Sequence, residues 1–233
     1  MTAPAANQTD RLREAELAFF GRIAASVSHE LNNSVTVIAE VNGLLDDLVA
    51  AAEKGGALRA DKLRSLHDTI ARQTLRSETI IKQFNRFAHS ADDPVKTCDA
   101  REALETLVAL CQRFAVLKKA RIELDAPEAA RLTTNPFRFL HAVFLPVDAA
   151  LRIAQPNDTV TLRLAPDNAA GAILTVTSPQ PLPATGEEAG PFRLLDTLAS
   201  LLMANISVSR DRKCVTLTLP ASLMSAPAVS PEN

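Results

Sequence analysis

The sequence predicts a two-part fold of the α + α/β type, an antiparallel helical hairpin followed by an α+β sandwich. Three observations predict it. Apolar residues recur at spacings of three and four from Asp10 to Ala52 and again from Leu63 to Ala88. The pair Gly55-Gly56 separates those two runs. Beyond Pro94 the pattern changes to short alternating segments interleaved with helical ones.

In the first run, Leu17, Phe20, Ala24, Val27, Leu31, Val35, Ile38, Val41, Leu45 and Leu48 make one continuous stripe. Leu63, Leu66, Ile70, Thr74, Ser77, Ile81, Phe84 and Ala88 mark the second. Two long amphipathic helices joined by a short turn form a hairpin with too little partner surface of its own. Pairing with a second copy, as a four-helix bundle in a homodimer, would complete its core. We therefore assign 10–92 to the hairpin, read "SADDPVKT" as a linker, and assign 97–221 to the α+β half.

In that half, Asp99 with Glu102 three residues on caps a helix running to about Lys119, and "RIELDA" is a strand. Asn135-Pro136 supplies an N-cap and a first-turn proline for a helix through Ala154. "TVTLRLA" and "GAILTVTS" alternate as strands, a helix covers about Phe192 to Ala204, and "NISVSR" with "KCVTLTL" closes as a hairpin. The expected sheet is mixed or antiparallel with helices on one face. The Ser/Pro/Ala-rich residues 222–233 are expected to be disordered.

Composition narrows the function. With 47% hydrophobic residues and a net charge of −2, the chain reads as a soluble globular protein, with neither nucleic acid nor a membrane as partner. No apolar run approaches the roughly 18 residues of a membrane span, and no signal peptide opens the chain, so a cytoplasmic location is expected. Cys98, Cys111 and Cys214 lack metal-ligand spacing and read as small core residues, so no metal site is expected.

The residues that carry chemistry lie in "GRIAASVSHELNNSVTVI". At about 100° per residue, His29 falls nearly opposite the stripe residues Val27 and Leu31. Arg22, Ser26, His29 and Asn33 are therefore expected to share an exposed face. A histidine fixed on a rigid helix and projecting into water is placed as a nucleophile offered to another protein. Imidazole titrates near 6.5, so near neutral pH it keeps a nucleophilic nitrogen, which an adjacent acid can orient. An exposed His beside a Glu is, equally, a common surface arrangement.

The segment "FFGRIAASVSHELNNSVTVI" resembles the phosphoacceptor box of two-component sensor histidine kinases, His-Glu-Leu-x-Asn on a long helix. His29, Glu30, Leu31 and Asn33 match it, and Ser34 stands where proline is usual. The resemblance extends through the hairpin and, by element order, through an α+β half similar to that family's ATP-binding domain. It implies that His29 carries the phosphoryl group, that Glu30 is its acid-base neighbour, and that Asn33 sits where a water is positioned for dephosphorylation. Arg22 and Ser26 would touch an incoming receiver domain.

Family members that bind ATP-Mg²⁺ use an asparagine-bearing helix, an Asp-x-Gly-x-Gly turn and a second glycine-rich turn. The resemblance puts Pro146 and Ala150 at the asparagine positions, and Ser178, Gln180 and Leu182 in the first turn. The seven glycines form no GxG, and "SPQPLPATGEEAGP" replaces the nucleotide lid. No cofactor is expected in this chain, with Mg²⁺ expected on the partner receiver domain. A carboxylate at Asp148 is the one residue that a one-position slip would bring near the metal.

The expectation is a phosphorelay histidine phosphotransferase without ATP binding. His29 would accept a phosphoryl group from a receiver aspartate, a hybrid histidine kinase among the candidate donors, and pass it to a response regulator. The alternatives are a response-regulator phosphatase, a non-catalytic pseudokinase that titrates a partner, and a kinase with a divergent nucleotide site. His67 and His89 read as structural, and His141 as a satisfied or half-buried core residue.

Overall fold

The computed structural model describes residues 4–126, 130–167, 171–183 and 190–223. Helices α1 (Pro4–Glu53) and α2 (Ala60–Ala88) form the hairpin. The glycine pair ends α1 as expected. Gly55 adopts a φ of 89°, the left-handed region, and the Gly56 N–H donates to the Ala51 carbonyl at 2.9 Å. A side chain at Gly56 would bring Cβ within 2.8 Å of that same carbonyl oxygen.

The second half comprises β1 (Lys96–Asp99), α3 (Ala100–Leu117), β2 (Arg121–Asp125), β3 (Arg131–Thr134), α4 (Pro136–Ile153), β4 (Thr159–Asp167), β5 (Gly171–Thr177), α5 (Gly190–Leu201), β6 (Asn205–Val208) and β7 (Cys214–Pro220). Both expected caps form: the Asp99 carboxylate accepts from Arg101 N–H at 2.9 Å, and the Asn135 side-chain oxygen from Arg138 N–H at 2.8 Å. The main sheet runs β2-β4-β5-β7-β6, with β2 parallel to β4 and the remaining pairs antiparallel.

Two strands are additions to the sequence reading. β1 and β3 pair antiparallel as a separate two-stranded ladder, so part of the expected linker is strand and the rest includes a 3₁₀ turn, His89–Ala91. Four residues each is too short for a period-two signal to register. Residues 221–223 continue this ladder: Thr133 N–H donates to the Ala221 carbonyl, and Leu223 N–H to the Thr133 carbonyl. Residues 222 and 223 of the expected disordered tail are therefore part of this ladder, and those from 224 on lie outside the described ones.

The arrangement has three layers. Along β4, β5 and β7, buried Leu162, Leu174 and Leu217 alternate with half-exposed threonines, so one sheet face meets helices and the other carries Thr161, Thr175 and Thr216. α3 and α4 lie between that apolar face and the hairpin, α4 touching β4 and β5 on one side and α1 on the other. α4 is apolar around nearly its whole circumference, from Phe139 to Leu151, as a helix covered on opposite sides must be.

Phenylalanines join the layers. Phe19 and Phe87 from the hairpin meet edge-to-face at 5.3 Å, and Phe19 packs on Phe144 of α4 at 4.7 Å. Phe87 is also within 6 Å of Phe20 and Phe137. His141 lies stacked on Phe19, centroids 4.6 Å apart. It is fully buried, and its Nδ1 has no partner among the described residues. The half-buried or satisfied histidine expected at this position is instead an unsatisfied one inside an aromatic cluster. Leu12, Phe19, Ile23, Val27 and Phe87 belong to the same continuous core as the inner face of the sheet. The two halves thus share one interior.

Two outcomes follow from this core. Phe87→Ala removes the ring at the centre of the junction and is expected to cost about 3–5 kcal/mol in urea unfolding. Protection from hydrogen exchange should fall in both α2 and α4. His141 provides the second. Burial lowers its pKa from 6.5 to about 4. The unfolded chain therefore takes up the proton first: stability is unaffected above 6.5 and is lost progressively as pH falls toward 4. Between about pH 7.5 and about pH 5 this residue should account for a loss of about 2 kcal/mol. His141→Phe, which keeps the stack, should abolish that portion of the urea-midpoint shift.

Candidate functional site

The site is built on the middle of α1, where three flanks of one helix meet three environments. His29 is exposed, and among the described residues no hydrogen bond or ion pair holds its ring. Asn33, one turn further, is exposed on the same side. These two residues stand where the sequence places them.

Arg22 and Ser26 do not share that open face, and their expected exposure is corrected here. Ser26 is 4% exposed and packs inward. Arg22 forms an ion pair with Asp148 of α4, with its guanidinium 5.1 Å from the Phe114 ring centroid and 5.5 Å from that of Phe144. The helical wheel explains the difference. Ser26 lies about 60° from His29 at 100° per residue, toward Phe19, Ile23 and Glu30. α3 and α4 cover that flank, which a free two-helix hairpin would leave in water. Arg22 starts nearer to His29, but its long side chain reaches back to α4.

Glu30 follows His29 in sequence but faces elsewhere. Its carboxylate accepts from Arg76 of α2 at 2.6 Å and lies 3.8 Å from Arg113 of α3. The acid expected to serve His29 is thus engaged as a tie between the hairpin and the α+β half. Ser34, in the place where the family pattern has proline, is buried, and its hydroxyl has no partner among the described residues. A third tie lies at the other end of the seam, where Arg138 of α4 donates to Glu16 at 2.9 Å. Such part-exposed pairs each contribute little to stability but fix orientation.

The residues that the family resemblance aligns with nucleotide-reading positions are engaged in packing and in hydrogen bonds to their neighbours. Pro146 and Ala150 are both buried in α4, and Pro146 offers no N–H to the Ala142 carbonyl. Asp148 carries two arginines, Arg22 and Arg152, the latter at 2.9 Å. Its negative charge is already compensated, so the carboxylate is a poor fit for a Mg²⁺ ligand. In the turn after β5, Ser178 is buried, with its N–H donating to the Lys213 carbonyl and its hydroxyl accepting from Gln180 N–H at 3.3 Å. Gln180 reaches across to Asp158. Leu182 is buried in the core with its N–H on the Arg212 carbonyl. The proposed lid replacement overlaps residues 184–189, which lie outside the described ones.

The remaining candidates are peripheral. His67 is exposed beside Asp68 at 3.3 Å, and His89 pairs with Asp92 at 2.7 Å just past the end of α2. Cys111 is fully buried, and burial pushes its thiol far above the ordinary range, which removes it as a nucleophile. Among the described residues, no group of His, Cys, Asp and Glu side chains has the arrangement of a metal site.

Sequence reasoning missed the seam residues Arg113, Arg76, Glu16 and Arg138. The one signal that pointed to them was the all-round apolar character of "FRFLHAVFLPVDAALRI", which demands cover on two sides.

No protein-family model matches the chain, and no curated protein matches it by sequence. Solved structures do match. The blue-light activated histidine kinase EL346 of Erythrobacter litoralis superposes with a TM-score of 0.50 at 15% identity, over 69% of this chain and 60% of that one. The present chain thus corresponds to about three-fifths of the length of that kinase. Acinetobacter baumannii histidine kinase AdeS matches over 83% of this chain and 98% of that one, with a TM-score of 0.47 and 12% identity. The cytoplasmic segment of histidine kinase QseC gives 0.45 at 16% identity, over 63% and 93%. No helix among the described residues is long and apolar enough to cross a membrane. A helical hairpin bearing an exposed histidine, packed on a mixed-sheet sandwich, gives this chain a histidine-kinase-like fold.

Proposed function

We propose that the chain is a two-component histidine phosphotransferase: His29 takes a phosphoryl group from a receiver-domain aspartate and delivers it to a response regulator, without ATP. The observation that carries this reading is a contrast on one molecule. His29 stands free on its helix, while Pro146, Ala150, Ser178 and Leu182 fill the positions where nucleotide-reading groups are expected, and Arg22 and Arg152 hold the nearby carboxylate.

In the transfer, an imidazole nitrogen attacks phosphorus, the P–N bond forms, the P–O bond to the aspartyl carboxyl breaks, and the aspartate leaves as carboxylate. Because such a receiver brings its own acyl phosphate and Mg²⁺, this chain need supply only a positioned imidazole and a docking surface. Glu30, held by Arg76 and Arg113, orients α1 against α2 and α3 rather than serving the ring as a base. Asn33 lies beside the transfer site and would contact the incoming receiver.

The hairpin supplies a second surface. Leu17 and Val35, 73% and 61% exposed, lie on one flank of α1 five turns apart, with Leu75 of α2 also open. We propose that a second copy covers this flank, giving a homodimeric four-helix bundle with His29 left accessible.

Incubation with a receiver domain phosphorylated by a small phosphodonor tests the transfer. Label is expected to move onto the chain, to vanish in His29→Ala, and to be absent when the chain is given labelled ATP alone. Autophosphorylation from ATP would restore the kinase reading, and receiver dephosphorylation that survives His29→Ala would make the chain a phosphatase. For the bundle, sedimentation should give twice the 25.0 kDa chain mass, and Val35→Asp should raise the dimer dissociation constant about tenfold or more while leaving the helical circular dichroism intact.

A further inference from the structure

A groove of about 840 Å³ runs between the C-terminal half of α2 and the start of the α+β half. All four residues of β1, Lys96–Asp99, line it, and no residue of β3 does. A hollow on the face of the ladder would be lined by alternate residues of both strands, so this one follows the unpaired edge of β1. The direction of the backbone groups agrees. Thr133 faces Thr97 across the ladder and directs its N–H and C=O to residues 221–223 on its far side. In an antiparallel pair, facing residues either exchange both bonds or both turn away. Thr97 therefore presents its own N–H and C=O on the open side. The Ala100 N–H donates to the Ala130 carbonyl at 2.7 Å, which fixes the same parity and turns the Asp99 N–H outward as well. Among the described residues, no strand pairs with β1 on that side. Across the groove, Ile81 of α2 is 46% exposed, with Ala103 and Leu140 nearby. Lys82 and Arg86 on the rim are offset by Glu78 and Glu102, so the groove selects by shape and hydrogen bonding more than by net charge.

We infer that the free edge of β1 is a strand-addition site for an extended peptide segment of a partner protein. Running antiparallel to β1, one residue of the segment exchanges two bonds with the Thr97 backbone, and the carbonyl two residues before it accepts from the Asp99 N–H. An apolar side chain of the segment covers Ile81. A donor and an acceptor on one residue, with a second donor two residues on, match the backbone of an extended chain; a helix keeps those groups for its own bonds. β1 has only four residues and opens on Lys96, features that discourage indiscriminate edge pairing, so the groove beside it supplies the selection. The occupant touches α2 and β1 at once and ties the hairpin to the α+β half. The inference rests on the strand edge and its groove, and it stands or falls independently of phosphoryl transfer.

The probe is a fluorescein-labelled hexapeptide, Lys-Thr-Ile-Thr-Ile-Glu, which has high strand propensity and side chains of both signs. Its fluorescence polarisation should rise to saturation when the full chain is titrated in. The same peptide N-methylated along its backbone keeps the side chains and loses the donors, and should bind at least about tenfold more weakly. Thr97→Pro should weaken the unmodified probe by a similar factor. Because the Thr97 N–H points out of the ladder, that proline is compatible with the strand and removes, besides the outward donor, only an exposed bond to the Thr133 hydroxyl, so circular dichroism should not change. Ile81→Ser, on the opposite wall, should weaken the probe about fivefold. Absence of saturation up to the solubility limit overturns the proposal, as does equal affinity for the two probes in the unaltered chain, a comparison that decides even if a variant fails to fold. Displacement of the probe by a synthetic peptide copying residues 224–233 would give the edge to this chain's own C-terminal residues instead. A fall in sedimenting mass on Thr97→Pro would give it to a second copy. Either result overturns the assignment to a partner protein.

Discussion

The aromatic seam centred on Phe19 and Phe87 is the contact on which the rest of the arrangement depends. Both rings come from the hairpin, yet their neighbours Phe137, His141 and Phe144 belong to the helix that backs the sheet. Rings at these separations contribute directional contact beyond area burial. One of them, Phe144, also lies with Phe114 against the Arg22 guanidinium where it meets Asp148, and the partial exclusion of water there strengthens that pair and raises the penalty for separating it. Hydrophobic and ionic attachments are therefore not independent here; the first sets the dielectric in which the second operates.

This attachment divides the circumference of α1. One flank packs on α2, one is covered by α3 and α4, and the third remains open to carry His29 and Asn33. Residues that a two-helix hairpin would leave solvated, Ser26 above all, become interior. Glu30 is turned toward Arg76 and Arg113 for the same reason: on a helix, neighbours in sequence point about 100° apart, so adjacency to His29 in the chain does not mean adjacency in space.

How much of this was legible beforehand depended on the range of the interaction. Local signals were reliable. The glycine pair, the Asp99 and Asn135 caps and the alternation in β4, β5 and β7 each correspond to what the structure contains. So was the exposure of His29, because it lies opposite the stripe. The four-residue strands β1 and β3 escaped because they hold too few residues for a period to show. The burial of Ser26 and the salt bridge from Arg22 to Asp148 join residues more than a hundred positions apart in the latter case, and no spacing within a single helix encodes that. The unusual all-round hydrophobicity of α4 was visible in the sequence, but it indicates that a second covering layer exists without identifying it.

The shared interior also bears on how such a sequence can change over time. Where two modules meet through a flexible tether, either can be exchanged for a foreign counterpart and drift at its own pace. Here a bulkier or smaller ring at position 19 must be accommodated by α4, and a lost carboxylate at 148 leaves a guanidinium on α1 without its counter-ion. The two halves are bound to a common history, and a recombination breakpoint between them would bring together surfaces that had never been fitted to each other.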